Sequence, residues 1–408
     1  MWIKRITSFL ALKKSTAGLL GMVVLILLGE RMAERFLPIY LMALGGGALV
    51  IGLLNGMDNF LSAVYSFLGG YLSDRLGTKR ALLLFNFAAM FGFTIVILIP
   101  VWQAVIVGAV FFLSWSAISL PATMSLITGV LPKDKRTMGV SMLALVRRIP
   151  MALGPLLGGV CISIWGEKDG VRAAFVVALL LAIVATMMQH FLIKVESEPS
   201  NASGSARPEK NPLKLLHLMS PALKQLLVAD ILVRYCEQIP YAFVVVWCMK
   251  TIAHPVTAVQ FGLLTTIEMV TALLVYVPVA YFADKSGKKP FVLITFGFFT
   301  LFPLALLFCQ SFALLVPAFI LRGFKEFGEP TRKMLIMELA PEDRKAAVFG
   351  LYYMLRDAFV TLAALGGGFL WLLSPSANFI TAFLFGLIGT IGFAIWGRDV
   401  TLEPTDRI

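Results

Sequence analysis

Among the charged side chains inside segments of this chain that are otherwise almost wholly apolar, sixteen stand out. Glu30, Arg31, Glu34 and Arg35 share one segment, the two acids and the two bases each spaced i,i+4, so a helix stacks them in neighbouring rows. Asp58, Arg147, Arg148, Arg234, Glu237 and Glu268 follow, then Arg322, Lys325, Glu326 and Glu329, then Arg356 and Asp357. Eight acids balance eight bases. A charge at mid-bilayer costs about 2.5–3.5 kcal/mol on the most lenient scale, so a lipid-facing set of this size is excluded. The charges must pair or line water. Roughly half are expected to lock helices together, a common fate of intramembrane ion pairs.

Two kinds of chemistry suit the remainder. Arg31, Arg35, Arg147, Arg148, Arg234, Glu237, Arg322, Lys325, Glu326, Glu329, Arg356 and Asp357 form a candidate set for holding a small polar solute with charged groups. A deep carboxylate beside a cation that can leave alternates between charged and neutral, and so can carry a proton. Depth and cationic neighbours rank Glu34 first, Glu30 second and Asp58 third. Asp58 and Glu268 have no cation within a turn of their own segments, which fits a carrier or a pairing with another segment. Asp357 directly follows Arg356, but adjacent helix positions point about 100° apart, so its partner stays open. His190, His217 and His254 are scattered without metal-ligand spacing, and no GxxxxGK[ST] phosphate loop occurs. Neither a metal, another cofactor nor ATP is expected.

The elements that carry these charges are membrane spans. With 59% hydrophobic and 14% charged residues and a mean hydropathy of +0.87, the chain has an integral membrane composition. A hydrocarbon core needs about 20 apolar residues per helix. Spans read at 18–43, 48–72, 81–100, 103–130, 138–163 and 172–193, then at 222–249, 257–281, 290–309, 312–339, 346–372 and 377–397, twelve in all. The Ser/Pro/Gly-rich stretch 195–216 cannot cross lipid and divides residues 1–194 from 217–408, two bundles of six helices each. The net charge of +12 sits in short loops, which reads as a topology signal and not as a nucleic-acid surface. Cations gather on the side of the linker and of both termini, so these are expected to be cytoplasmic, in a bacterial-type inner membrane. No small-residue cleavage site follows an apolar stretch of signal-peptide length, so the first helix is expected to be retained. Cys161, Cys236, Cys248 and Cys309 show no CxxC spacing and imply no disulfide framework.

A short basic loop recurs in the two halves. Gly69-Gly70-Tyr71-Leu72-Ser73-Asp74-Arg75-Leu76-Gly77-Thr78-Lys79-Arg80 returns as Ala280-Tyr281-Phe282-Ala283-Asp284-Lys285-Ser286-Gly287-Lys288-Lys289. Asp58 precedes Asp74 by sixteen residues, as Glu268 precedes Asp284. Pro132, Asp134, Arg147 and Gly158-Gly159 align at one offset with Pro341, Asp343, Arg356 and Gly367-Gly368. The loop resembles the signature between helices 2 and 3 of the major facilitator superfamily, Gly-x-Leu-Ala-Asp-Arg-x-Gly-Arg-Lys-Arg, with Ser73 and Thr78 as departures. The resemblance implies an all-α integral membrane fold of twelve helices in two pseudo-symmetric bundles, with a site near mid-membrane. It also implies a conformational lock built from Gly70, Asp74, Arg75, Gly77, Asp284 and Gly287. Asp74 would face the start of span 11 near 346–350 and Asp284 that of span 5 near 137–140, steadying the outward-open state.

Two further stretches resemble narrower signatures. Pro150-Met151-Ala152-Leu153-Gly154-Pro155-Leu156-Leu157-Gly158-Gly159 is similar to the antiporter motif Gly-x-x-x-Gly-Pro-x-x-Gly-Gly, with Pro150 in place of the first Gly. Gly154, Gly158 and Gly159 equally allow close helix packing, and Pro155 a bend. Glu34-Arg35-Phe36 with Tyr40 resembles the first-helix signature of proton-coupled oligopeptide transporters, although Glu30 lies four instead of three residues back and Pro38 replaces a Tyr. The superfamily's usual Arg of span 4 is missing from Phe111-Phe112-Leu113-Ser114-Trp115-Ser116. The expectation is a non-enzymatic, proton-coupled secondary transporter of a small polar or zwitterionic solute, working by alternating access. Its partners are lipid, solute and protons, and it is expected to be monomeric. Proton-antiport multidrug efflux is the first alternative, and a non-transporting receptor or scaffold on the same fold is the alternative of another class.

Overall fold

The computed structural model of the protein describes residues 14–113, 115, 117–119, 123, 136–192, 216–217, 219–341 and 345–398. Among these residues no strand occurs. The helices are α1 Lys14–Glu34, α2 Leu37–Ala43, α3 Ala48–Leu76, α4 Thr78–Leu98, α5 Trp102–Phe112 and α6 Arg136–Leu192 in the first half. In the second half they are α7 Pro221–Gln238, α8 Ala258–Ser286, α9 Lys289–Phe308, α10 Phe312–Gly323, α11 Glu329–Leu339, α12 Lys345–Leu373 and α13 Pro375–Trp396. Large apolar side chains face outward along them, Leu274, Phe308 and Leu373 among the most exposed. That is the surface a lipid solvent favours.

Four breaks interrupt the helices, each with a local cause; three fall inside expected spans, and the one at Gly166 falls between expected spans 5 and 6. Span 1 divides between α1 and α2 because Pro38 sits in the first turn of α2, where its ring disfavours a continuous helix through Leu37. The long α6 holds spans 5 and 6. At Gly166 (φ 77°, ψ 177°) the chain leaves the helix, and Gly170 comes back against Cys161 and Ile162. Past Gln238, Pro240 ends the regular ladder, and Tyr241–Phe243, Val244–Val246 and Trp247–Thr251 form 3-10, α and π turns. In span 10 a 3-10 turn, Phe324–Glu326, separates α10 from α11, whose first turn holds Pro330.

By length and composition nine stretches among the described residues can cross a membrane, one of them, Val146–Phe191, long enough for two passes. The expected first and tenth spans are not among these nine. The tenth is divided by the 3-10 turn into helices of 12 and 11 residues, each too short to cross alone.

The chain forms two compact units. The first comprises Met1–Val50, Phe60–Ser203 and Thr257–Thr266, the second Ile51–Asn59, Gly204–Val256 and Ile267–Ile408. The expected linker, 195–216, lies outside the described residues except for Leu216. In the first unit α1 runs along α6, with Gly29 against Ala178 and Gly158 against the Met32 carbonyl. A buried amide cluster crosses the same unit: Asn86 Nδ2 donates to Gln189 Oε1 (2.7 Å) and Trp115 Nε1 donates to Asn86 Oδ1 (3.0 Å). In the second unit α7 packs on α13, α12 and α9 around Leu223, Leu226, Phe296, Tyr352 and Phe393.

Candidate functional site

Span 7 supplies the spine of the site. Asp230, Arg234 and Glu237 lie at i, i+4 and i+7 on α7, which places them along one face. Glu329 and Arg332 occupy the first turn of α11, and Arg322 and Lys325 lie on the broken stretch before it. These elements meet through ion pairs. Arg234 Nη1 donates to Glu237 Oε2 at 2.6 Å, and its Nη2 to Glu329 Oε2 at 3.2 Å. Arg332 Nη2 donates to the same Glu329 oxygen at 2.7 Å, while its Nη1 is paired with Asp230. Lys325 Nζ bridges Glu237 (2.9 Å) and Glu268 (3.2 Å), and Arg322 Nε lies 3.3 Å from Glu268. From α12, Tyr352 Oη donates to Asp230 Oδ2 at 3.0 Å. One chain of charges thus runs from Arg322 through Glu268, Lys325, Glu237, Arg234, Glu329 and Arg332 to Asp230.

Aromatic faces enclose the cations. Arg234 lies 4.9 Å from the centre of the Phe299 ring, Arg322 5.0 Å from that of Phe302, and Arg356 4.2 Å from that of Tyr353. A desolvated cation over a ring gains up to about 2 kcal/mol, offsetting part of the cost of burial. Burial divides the chain into two classes. Glu268, Asp230 and Arg332 are at most 1% exposed, so no solute reaches them in this conformation. Arg234 (18%), Glu329 (14%) and Glu237 (11%) remain partly open. Glu237, Arg322 and Lys325, with Phe298, Phe299 and Phe302, line a cavity of about 10 Å³, close to what one water occupies.

Sequence reasoning singles out most of this set but misses Asp230, Arg332 and Tyr352. The signal for the first two was present. Asp230 stands i,i+4 from Arg234, and Arg332 stands i,i+3 from Glu329, so each extends a stripe already recognised. They add one charge of each sign and leave the balance intact. Glu268, without a cation within a turn of its own helix, receives two, Arg322 from the last turn of α10 and Lys325 from the 3-10 turn after it. Asp357 meets its neighbour after all, with Arg356 Nη2 at 2.7 Å, and Glu326 lies half-buried in its 3-10 turn.

The first unit gathers a smaller group. Arg31 Nη1 contacts Glu34 at 2.5 Å, Glu30 is 4% exposed, and Arg147 is in electrostatic reach of Glu30 and Arg31. A Cβ on Gly154 would stand 2.6 Å from Arg31 Cβ, so this glycine lets α6 approach α1 beside the charges. Pro155 presents its carbonyl to Gly262, and Gly159 lies against Ala258. Arg35 and Arg148 are half-buried in the same unit. Asp58 is half-buried on α3, in the segment assigned to the second unit. Its neighbours Asn55 and Asn59 donate to the backbone and side-chain oxygens of Gln238 at 3.1 and 3.3 Å.

At the repeated loops, Gly77 (φ 80°) and Gly287 (φ 89°) take the left-handed backbone that glycine favours. Arg75 is exposed and donates to Tyr71 Oη at 3.4 Å. Gly70 lies within α3, and the side chains of Asp74 and Asp284 lie outside those that the structure describes.

An all-helical, multi-pass membrane chain with ion pairs buried in its spans and broken helices beside them has the makings of a transporter. The profile of the Major Facilitator Superfamily matches residues 19–253 and 226–407, and the chain belongs to that family. It is 24% identical over 368 residues to a multi-drug resistance efflux pump PmrA homolog of Lactococcus lactis, covering 87% of this chain and 88% of the relative. Its fold is similar to that of the nucleoside transporter NupG, with a TM-score of 0.78 at 13% identity, over 94% of this chain and all of that one. It is likewise similar to the peptide transporter POT, with a TM-score of 0.77 at 14% identity, over 94% and 93% of the two chains.

Proposed function

We propose that this family member is a proton-coupled secondary transporter that moves a small polar organic solute bearing charged groups, by alternating access, as a monomer. The membrane is a bacterial-type inner membrane, with both termini cytoplasmic. One observation carries the reading: the ion-pair chain of α7, α10–α11 and α12, balanced in sign and partly open at Arg234, Glu237 and Glu329. A zwitterion can replace a protein ion pair with two protein–ligand pairs at little net electrostatic cost. A purely apolar solute would leave the same charges buried without compensation. The likenesses to peptide and nucleoside transporters are compatible with polar cargo.

Proton coupling is assigned to Glu34, with Glu30 and Asp58 as the next candidates. The 2.5 Å contact of Glu34 with Arg31 supplies the exchangeable cation that a carrier needs. The test is uptake by proteoliposomes from a pool of zwitterionic and anionic metabolites, with and without an imposed pH gradient. Glu34→Gln is expected to abolish gradient-driven accumulation while sparing solute exchange. Accumulation by that variant against a gradient, still driven by protons, would move coupling to the acids of α3, α8 or α11.

The efflux-pump relative and the Gly154-Pro155 motif favour a second reading, export of organic cations by proton antiport. Dye efflux from inverted vesicles separates the two. Under the first reading dye neither moves nor competes with the polar solute, and under the second it does both.

A further inference from the structure

The outer surface of the second unit carries a groove that takes no part in the ion-pair chain. Val228 and Leu232 of α7 and Ile388 and Gly392 of α13 wall a hollow of about 280 Å³, with Lys224 and Trp396 at its mouth. The two helices are antiparallel here, since Gly386 lies against Cys236 and Gly389 against Ala229. Gly389 lets the backbones touch, and Gly392 leaves the floor open, with only the Trp396 ring edge 3.4 Å from where its Cβ would stand. Val228 and Ile388 are more than half exposed, so the groove opens toward the lipid-facing surface.

The mouth is basic. Lys224 is exposed on the first turn of α7, and Arg398 is exposed two residues past Trp396. Lys289, at the start of α9, donates to the Ala394 carbonyl at 3.0 Å and so stands at the same end. The carboxylate of Glu338, whose neighbour Leu339 meets the cap of α7, is held by Lys288 at 2.7 Å. An apolar trough ending in cations and an exposed tryptophan has the chemistry of an acyl chain below a negatively charged headgroup. We propose that this groove binds an anionic phospholipid of the leaflet facing the basic loops, one acyl chain between α7 and α13 and its phosphate at Lys224. A zwitterionic headgroup would bring its ammonium to three cations, which disfavours it. The proposal is independent of which solute is carried.

Trp396 is a built-in reporter. The full chain is reconstituted in phosphatidylcholine vesicles containing increasing fractions of dibrominated phosphatidylglycerol or dibrominated phosphatidylcholine, and tryptophan quenching is read. The chain has seven tryptophans, so the groove signal is the difference between the protein and Trp396→Phe. Half-quenching of that difference is expected at about fivefold lower phosphatidylglycerol than phosphatidylcholine, the effect of about 1 kcal/mol from one surface cation. Lys224→Gln should erase most of this preference, and Gly392→Leu should weaken quenching by both lipids by filling the floor. Equal quenching by the two lipids overturns the proposal, as does a preference that survives Lys224→Gln. Absent quenching by either lipid, with crosslinked dimers of the Val228→Cys variant, would assign the groove to a second copy of the chain instead.

Discussion

Glu268 shows how burial and pairing decide the role of a single residue. It is fully buried and meets Arg322 and Lys325, neither of which lies on its own helix. Removing one partner of a buried pair leaves an uncompensated charge and costs about 3–5 kcal/mol, more than most surface changes by severalfold. Glu268→Gln is therefore expected to lower the thermal unfolding temperature of the detergent-solubilised protein strongly, and adding Arg322→Gln should restore part of the loss. A variant as stable as the parent would show that Glu237 alone satisfies both cations. Arg147 and Arg148 answer a different question. If either holds an anionic part of the solute, Lys at that position should weaken binding about tenfold while preserving charge, because an ammonium lacks the planar pair of donors. Titration of the solute against each variant by scintillation proximity gives the answer, and wild-type affinity in both would make the two arginines structural.

Helix contacts repeat between the halves. Gly158 of α6 rests on the Met32 carbonyl in the first unit, and Gly367 of α12 rests on the Ile239 carbonyl in the second. In each a Cβ would overlap a backbone oxygen, which cannot yield as a side-chain tip does. Gly158→Ala and Gly367→Ala should each destabilise by about 1–3 kcal/mol, the usual cost of overpacking. Gly366→Ala has open space for its methyl and serves as the control, expected to be neutral within measurement. Equal melting temperatures for all three would mean that the helices separate without cost. The breaks at Pro38, Pro240 and the 324–328 stretch belong to the same scale. Each falls beside intramembrane charges, where freed backbone groups and ionic side chains can share partners.

For the whole molecule, the repeated Asp–Gly loops are the features that the family resemblance links to switching between states. The family resemblance implies a role for Asp74 in steadying the outward-open state, which a substitution tests. Asp74→Asn should insert and fold normally yet reduce labelling of a cysteine placed on the outer side of the cavity. Unchanged labelling together with unchanged transport would reduce Asp74 to an ordinary loop residue. Much at this scale was legible from residues alone. Apolar runs, loop cations and the recurring loop led to a multi-pass helical chain of the superfamily, because lipid leaves few solutions for a backbone that must satisfy its own hydrogen bonds. The stripes on single helices were legible in part: Arg234 and Glu237 follow from helical periodicity, which also carried the signal for the missed Asp230. What only the tertiary structure decided is which acid meets which base. Lys325 reaches Glu237 and Glu268, and Arg332 reaches Asp230, across sequence separations that no periodicity encodes. Such pairings depend on the depth and rotation of each helix against its neighbours. Those are set by contacts such as Gly367 on Ile239 and by the breaks at Pro240 and Gly328, which act through the packed unit and not through the local chain.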